Sequence, residues 1–152
     1  MMKSKRFEPI QEIASSSAKD LSRHMSEAAR RVAELEQQLS QLRHYRDEYT
    51  RNSTQGSGSM DAVKLQNYRS FLDRLTAAME QHAKNLELAR AEYEKRRAAW
   101  SEKRIEAESL NKVIDRFRKE ERNAADRREQ HEGDEAAIRA VLARQEESSD
   151  KL

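Results

Sequence analysis

Hydrophobic residues recur at seven-residue intervals along the first third of the chain. One series is Ala14, Leu21, Ala28, Leu35, Leu42 and Tyr49, and a second interleaves with it as Ala18, Met25, Val32, Leu39 and Arg46. Alternating spacings of three and four residues place both series on one face of a helix, as the d and a positions of a coiled coil. Because Pro9 is suited to the first turn of a helix, the pattern predicts helix 1 over about residues 10–51.

Small and polar residues interrupt the repeat between Asn52 and Ser59, where the sequence reads NSTQGSGS. Glycine and serine clusters of this kind favour turns. Ser59 and Asp61 can cap the helix that follows and favour its dipole. We therefore predict a loop over about residues 52–60.

The heptad pattern restarts after the loop and continues for much longer. The a positions are Leu65, Leu72, Met79, Leu86, Tyr93, Trp100, Ala107 and Ile114, and the d positions are Tyr68, Leu75, His82, Ala89, Arg96, Lys103, Leu110 and Phe117. This predicts helix 2 over about residues 61–131 or beyond. Gly133 should weaken the helix, and a polar C-terminal tail is expected over about residues 145–152.

A short loop between two heptad helices predicts an all-α, antiparallel two-helix coiled coil with a longer, overhanging second helix, forming a single elongated unit over residues 1–152. If the numbers of opposing residues sum to roughly 110–120, the start of helix 1 lies opposite about residue 110 of helix 2. The next 20–30 residues, roughly 30–45 Å of helix, would then be unpaired. The base of this overhang would be formed by Leu110, Val113, Ile114 and Phe117. We expect a partner or a second copy to cover it.

Composition excludes several classes of protein. One proline, three glycines and 5% aromatic residues are too few for the turns and strands of a β-rich fold. The 30 basic and 28 acidic side chains are interleaved, so no one-signed surface is expected to bind nucleic acid. The absence of cysteine and of an N-terminal apolar region predicts a cytosolic protein, and the lack of a long apolar run predicts no direct membrane insertion.

No catalytic, cofactor-binding or metal site is predicted. Gly56 to Ser59 lacks the lysine of a phosphate loop. The four histidines lack metal-binding spacing, and the cluster from His131 to Glu135 is interpreted as a solvated helix end. A two-helix rod offers no concave, water-poor site, so the chain is not expected to be an enzyme. In the helix 2 seam, His82, Arg96 and Lys103 are interpreted as polar residues that fix the register.

Both helices carry the same spacing of side chains beside the loop. Gln38, Leu42, Tyr45 and Tyr49 precede it, and Phe71, Leu75, Ala78 and His82 follow it, each set in g, d, g, d positions. Antiparallel pairing brings the two g edges together, which predicts an apolar strip suited to a partner. The d residues are expected to pack the coil, whereas packing and partner contact are equally plausible for Tyr45 and Phe71. Truncating both of these g residues is expected to spare the seam.

Four segments, in this order, resemble the flagellar FliJ protein family. They are RFEPI at residues 6–10, LRHYRDEY at 42–49, NYRSFL at 67–72, and RFRKE at 116–120 continuing to REQ at 128–130. The resemblance implies a coiled coil similar to the central γ stalk of rotary ATPases. It also implies a soluble component of the bacterial flagellar type III export apparatus, on the cytoplasmic side of the inner membrane.

Partners are likewise implied by this resemblance. They are the hexameric export ATPase (FliI-like), the cytoplasmic domain of the export gate protein (FlhA-like) and export chaperones. The gate contact of the family maps onto Gln38, Leu42, Tyr45, Tyr49, Phe71, Leu75, Ala78 and His82. The ATPase contact would involve Ile10, Ile13, Arg118, Arg122, Arg127 and Arg128. Two alternatives are the stalk of a virulence secretion system and a generic coiled-coil scaffold or homodimer.

Overall fold

The structure, a computed structural model, describes residues 2–55 and 61–151 and consists of two helices there. Helix α1 spans Lys3–Gln55, with 53 residues, and α2 spans Ala62–Asp150, with 89. No strand occurs in the described ranges, and the helices pack against each other, which confirms the antiparallel two-helix coiled coil with a longer second helix. Within the same ranges, neither helix is apolar over a stretch long enough to cross a membrane.

Helix α1 begins at Lys3 rather than near residue 10, so Pro9 lies inside the helix. Proline has no N–H and removes one helical hydrogen bond, which usually favours a position in the first turn. Here the preceding turn is held by α2, because Phe117 packs on Phe7 and Glu121 accepts hydrogen bonds from Ser4. Tertiary contacts therefore override the local signal on which the predicted boundary depended.

The other boundaries also differ from the predicted ones. Helix α1 continues to Gln55, so the predicted loop is helical over 52–55, and its remainder at 56–60 lies outside the described residues. At the start of α2, Asp61 Oδ1 accepts a hydrogen bond from the backbone N–H of Lys64 at 2.8 Å, which confirms Asp61 as a cap. Ser59 is not among the described residues.

Helix α2 runs without interruption past Gly133 to Asp150, so it extends well beyond residue 131 and includes most of the predicted polar tail. A Cβ atom added at Gly133 would meet no atom within 4 Å. The glycine lowers helix propensity without breaking the helix, because one residue cannot undo the hydrogen bonds on either side.

Residue contacts divide the chain into two units. The hairpin unit is Ser16–Arg104, and the terminal unit combines Met1–Ser15 with Ile105–Leu152. The prediction of a single elongated unit stays a prediction.

In the hairpin unit the heptad assignment accounts for the buried side chains. Its core consists of Leu35, Leu39, Leu75, Met79 and Leu86. Every predicted a and d residue from Ala18 to Tyr49 and from Tyr68 to Lys103 is buried or half-buried. Leu65, at 38% exposure, is the exception among the predicted seam positions of this unit.

Contacts between the helices fix the pairing in the hairpin unit. The ring of Tyr49 stacks on Tyr68, and the guanidinium of Arg96 donates to the carbonyl oxygen of His24 at 3.0 Å. The numbers of these residues sum to 117 and 120, within the predicted range. The longer side chains of Arg90 and Glu36 form an ion pair at 3.0 Å with a sum of 126.

In the terminal unit the pairing extends further along α2 than predicted. Phe7 packs on Phe117 with ring centroids 5.5 Å apart, and Arg118 donates to Glu8 at 2.7 Å. The predicted start of the overhang near residue 110 was therefore wrong, because the earlier start of α1 adds about two helical turns of pairing. Ile114 is only 3% exposed, and Leu110, Val113 and Phe117 are half-buried. The fully exposed part of α2 begins instead at residue 126 and continues to its end.

Candidate partner-binding surfaces

The eight residues of the predicted loop-side strip all belong to the hairpin unit, but the structure places them at three depths. Leu75 is part of the core, and Leu42 and Phe71 pack against that core. Tyr49 and His82 are half-buried, whereas Gln38, Tyr45 and Ala78 are exposed. The strip therefore has a buried inner edge that stabilises the coil and an exposed outer edge that is available to a partner.

Three aromatic rings of this strip, together with that of Tyr68 beside it, connect the two helices. Tyr49 lies 4.5 Å from Phe71 and 5.1 Å from Tyr68 between ring centroids, and the Tyr45 ring meets Phe71 edge-on at 6.0 Å. Edge-on and offset arrangements of this kind are favourable for aromatic pairs. Tyr45 is the outermost of the four and is 51% exposed.

The expectation that truncating Tyr45 and Phe71 together spares the seam was wrong for Phe71. Phe71 is half-buried, packs against the core cluster and contacts two tyrosine rings. Tyr45 and Phe71 both occupy g positions, so the heptad assignment does not predict that Phe71 is the more buried of the two. The neighbouring Tyr49 ring, which contacts Phe71, accounts for its greater burial.

Beside the aromatic rings, a shallow groove is lined by Gln38, Gln41, Leu42, Tyr45 and His82. Leu42 and Tyr45 supply apolar surface and the two glutamines supply amide groups, a combination that suits an apolar side chain flanked by hydrogen-bonding groups. The Nδ1 atom of His82 is buried, and the described residues offer it no hydrogen-bond partner. Gln41 and Tyr68 were not predicted as site residues, although the heptad pattern placed Tyr68 in the seam.

The predicted ATPase-contact residues all lie in the terminal unit and are all exposed. Ile10 and Ile13 lie on α1, and Arg118, Arg122, Arg127 and Arg128 on α2. Arg118 is already held by Glu8 at 2.7 Å and by Asp115 at 3.9 Å, and the hydrogen bond with Glu8 is the main reason that its pKa is raised. We therefore regard Arg122, Arg127 and Arg128 as the more available cations.

Glu121 is a residue of this surface that the sequence did not identify. Its carboxylate accepts hydrogen bonds from the Ser4 hydroxyl at 2.7 Å and from the Ser4 backbone N–H at 3.1 Å. A side chain of α2 thus caps the first turn of α1, where a negative charge also suits the helix dipole. The hydroxyl bond, followed by the backbone bond, holds the pKa of Glu121 below its ordinary value. The sequence did offer one signal for this contact: Glu121 lies seven residues after Ile114 and so continues the a positions of helix 2.

Because the folded-state pKa of Glu121 is lowered, its contribution to stability should depend on pH in one direction. The contribution should be fully present above the ordinary pKa of 4.5 and should be lost as the pH falls through the lower folded-state pKa. We expect Glu121→Gln to unfold at lower urea concentration than the unmodified protein at neutral pH. The difference should shrink below about pH 4.

Urea titrations between about pH 3 and pH 7 would measure this effect, with the exposed Glu120→Gln as the matched control. An undiminished difference at the acidic end would show that Glu121 does not stabilise the fold through its charged form.

Among the described residues, no group of three histidine, cysteine, aspartate or glutamate side chains is placed to hold a metal ion. The His131 side chain instead lies 3.1 Å from Glu135 on the exposed surface of α2.

Comparison with known proteins gives consistent matches. The family model described as "Flagellar FliJ protein" matches residues 2–146. A curated relative from Salmonella typhi with the same description is 27% identical over 141 residues, which cover 92% of this chain and 96% of the relative. No solved structure matches the chain.

Proposed function

Because this chain belongs to the flagellar FliJ protein family and is therefore a component of flagellar protein export, we propose that it links the export ATPase ring to the export gate as a stalk-like coiled coil. The observation that carries this proposal is the family match, which spans residues 2–146 and so includes both candidate surfaces. The protein would act without catalysis of its own, on the cytoplasmic side of the inner membrane.

The loop-side strip is the proposed gate contact. Its exposed members are Gln38, Tyr45 and Ala78. Gln38 and Tyr45 line a shallow groove together with Leu42, which packs against the core. Interfaces of this kind concentrate binding energy in a few aromatic anchors, and Tyr45 is the exposed aromatic side chain of the strip. The gate protein would place apolar side chains against Tyr45 and Leu42.

The terminal unit is the proposed ATPase contact. Arg122, Arg127 and Arg128 present guanidinium groups that can form bidentate hydrogen bonds with carboxylates of the ring. Ile10, at 51% exposure, and Ile13, at 71%, add exposed apolar area on α1. We further infer that the protein assists export chaperones in delivering their substrates, because its two proposed contacts would bring the gate and the ATPase together.

The test is the ATP hydrolysis rate of the purified flagellar export ATPase with and without this protein, together with the fraction of hexamer measured by light scattering. We expect both to rise. Arg127→Ala combined with Arg128→Ala should abolish the increase, because two of the three available cations are removed.

The matched control is Arg30→Ala combined with Arg31→Ala, an adjacent and exposed arginine pair in the hairpin unit. If neither the rate nor the hexamer fraction changes when the protein is folded, the stalk proposal fails and a scaffold or chaperone-carrier role takes its place.

A further inference from the structure

The last part of α2 is an exposed helical segment with an apolar patch. Every residue from 126 to 150 is exposed, and we call residues 129–150 the terminal segment. Within it, Ile138, Val141 and Leu142 are 60%, 53% and 54% exposed. Their spacing of three and four residues places them on one side of the helix. Ile138 and Leu142 continue the d and a series whose earlier members face α1.

The terminal segment also differs in charge from the rest of the chain. Residues 129–150 contain seven acidic and two basic side chains, which gives a net charge of −5. The remainder of the chain carries 28 basic and 21 acidic side chains, a net charge of +7. The stretch of α2 immediately before it, residues 112–128, contains seven basic and four acidic residues.

This acidic charge is unfavourable for an isolated helix. The last turn of α2 contains no basic residue, and Glu146, Glu147 and Asp150 lie in or beside it. Negative charges repel the negative end of the helix dipole. A cationic surface laid along the segment would offset this repulsion and cover the patch of Ile138, Val141 and Leu142.

We propose that the terminal segment pairs with a second copy of this chain in an antiparallel arrangement, in which the acidic end of each copy lies along the basic stretch 112–128 of the other. A two-fold arrangement makes every such contact twice. A parallel, in-register pair would instead place acidic ends together and basic stretches together. Charge complementarity thus selects both the occupant and its direction.

The pairing is reversible and sensitive to salt. Three exposed apolar side chains form a small patch, and the charges around it are accessible to solvent, so ions screen their attraction. The full-length protein should show a dimer by sedimentation or light scattering at low salt. Raising the salt concentration from about 50 mM to about 500 mM should weaken the association by about tenfold or more.

The first variant tests the apolar patch. Ile138→Glu combined with Leu142→Glu should leave a monomer under conditions in which the unmodified protein dimerises. The matched control is Val63→Glu combined with Leu88→Glu, which changes two comparably exposed apolar residues of α2 in the hairpin unit, at 68% and 72%. Equal dimerisation by both double variants would overturn the proposal.

A charge exchange tests whether the charges of the two stretches hold the pair together. In the first chain, Glu132→Lys, Glu146→Lys and Glu147→Lys change the net charge of residues 129–150 from −5 to +1. In the second chain, Arg122→Glu, Arg127→Glu and Arg128→Glu change that of residues 112–128 from +3 to −3. Each variant alone should be monomeric, whereas an equimolar mixture should form a heterodimer.

Circular dichroism establishes that both variants are helical. A monomeric unmodified protein at all concentrations, or a mixture that stays monomeric, overturns the proposal and leaves a different basic protein as the occupant. Arg122, Arg127 and Arg128 belong to both proposed contacts, so pairing with a second copy and binding to the ATPase ring exclude each other. The measurements above use this chain alone, so their outcome is distinct from that of the ATPase assay.

Discussion

Replacing Leu35 with alanine should lower the free energy of unfolding by about 3 kcal/mol. Leu35 is 2% exposed and belongs to the core of the hairpin unit with Leu39, Leu75, Met79 and Leu86. The substitution removes three buried carbon atoms and leaves a cavity. Two facing helices have few other side chains that can move in to fill it.

Urea denaturation monitored by circular dichroism measures this loss, and Leu88→Ala is the control. Leu88 has the same side chain but is 72% exposed, so its replacement should change the free energy of unfolding by less than about 0.5 kcal/mol. Similar effects of the two substitutions would show that the seam of Leu35 is not the core of this unit.

Replacing Tyr45 with alanine should weaken binding to the gate's cytoplasmic domain by about tenfold or more, equivalent to about 1.4 kcal/mol, while leaving stability nearly unchanged. This expectation depends on the proposed gate contact. Tyr45 contacts Phe71 at one edge and is otherwise exposed, so its ring is free to enter an interface. Phe71→Ala should reduce both binding and stability, because Phe71 packs against the core.

Isothermal titration calorimetry gives the affinity and urea denaturation gives the stability of the same variants. Leu88→Ala is again a suitable control, since it removes an exposed apolar side chain elsewhere in the hairpin unit. A Tyr45→Ala protein that loses stability but keeps full affinity would place this ring in the fold and outside the interface.

Much of the seam could be predicted from the sequence because a single period governs it. Seven-residue spacing identified the buried and half-buried seam positions from Ala18 to Tyr49 and from Tyr68 to Lys103, including the half-buried polar d residues Arg96 and Lys103. The resemblance to the FliJ family, based on four short segments in order, is confirmed by the match over residues 2–146.

The first helical boundary could not be predicted in the same way. Pro9 is a strong local signal for a helix start, but the actual start depends on Phe117 and Glu121, which lie more than a hundred residues later in the sequence. Rules based on neighbouring residues cannot predict contacts between such distant parts of the sequence. The predicted start of the overhang was wrong for the same reason. A helix that starts at Lys3 covers Ile114 and Phe117, so the exposed part of α2 begins closer to the end of the chain.

The loop-side strip shows a second limit of periodicity. Tyr45 and Phe71 share the letter g, yet one ring is exposed and the other is enclosed by two tyrosines. Periodicity gives the angle of a side chain around its helix. It does not give the depth that a large ring reaches, which depends on the shapes of the rings on the facing helix.

The hydrogen bond from Arg96 to the His24 carbonyl has a mechanical consequence. A slip of α2 along α1 by one heptad, about 10 Å, would separate these two groups and also the ion pair of Arg90 with Glu36. Both contacts would be lost, so axial slippage within the hairpin unit is opposed at more than one layer. A pulling force applied along α2 in this unit would therefore be shared by α1 as shear load.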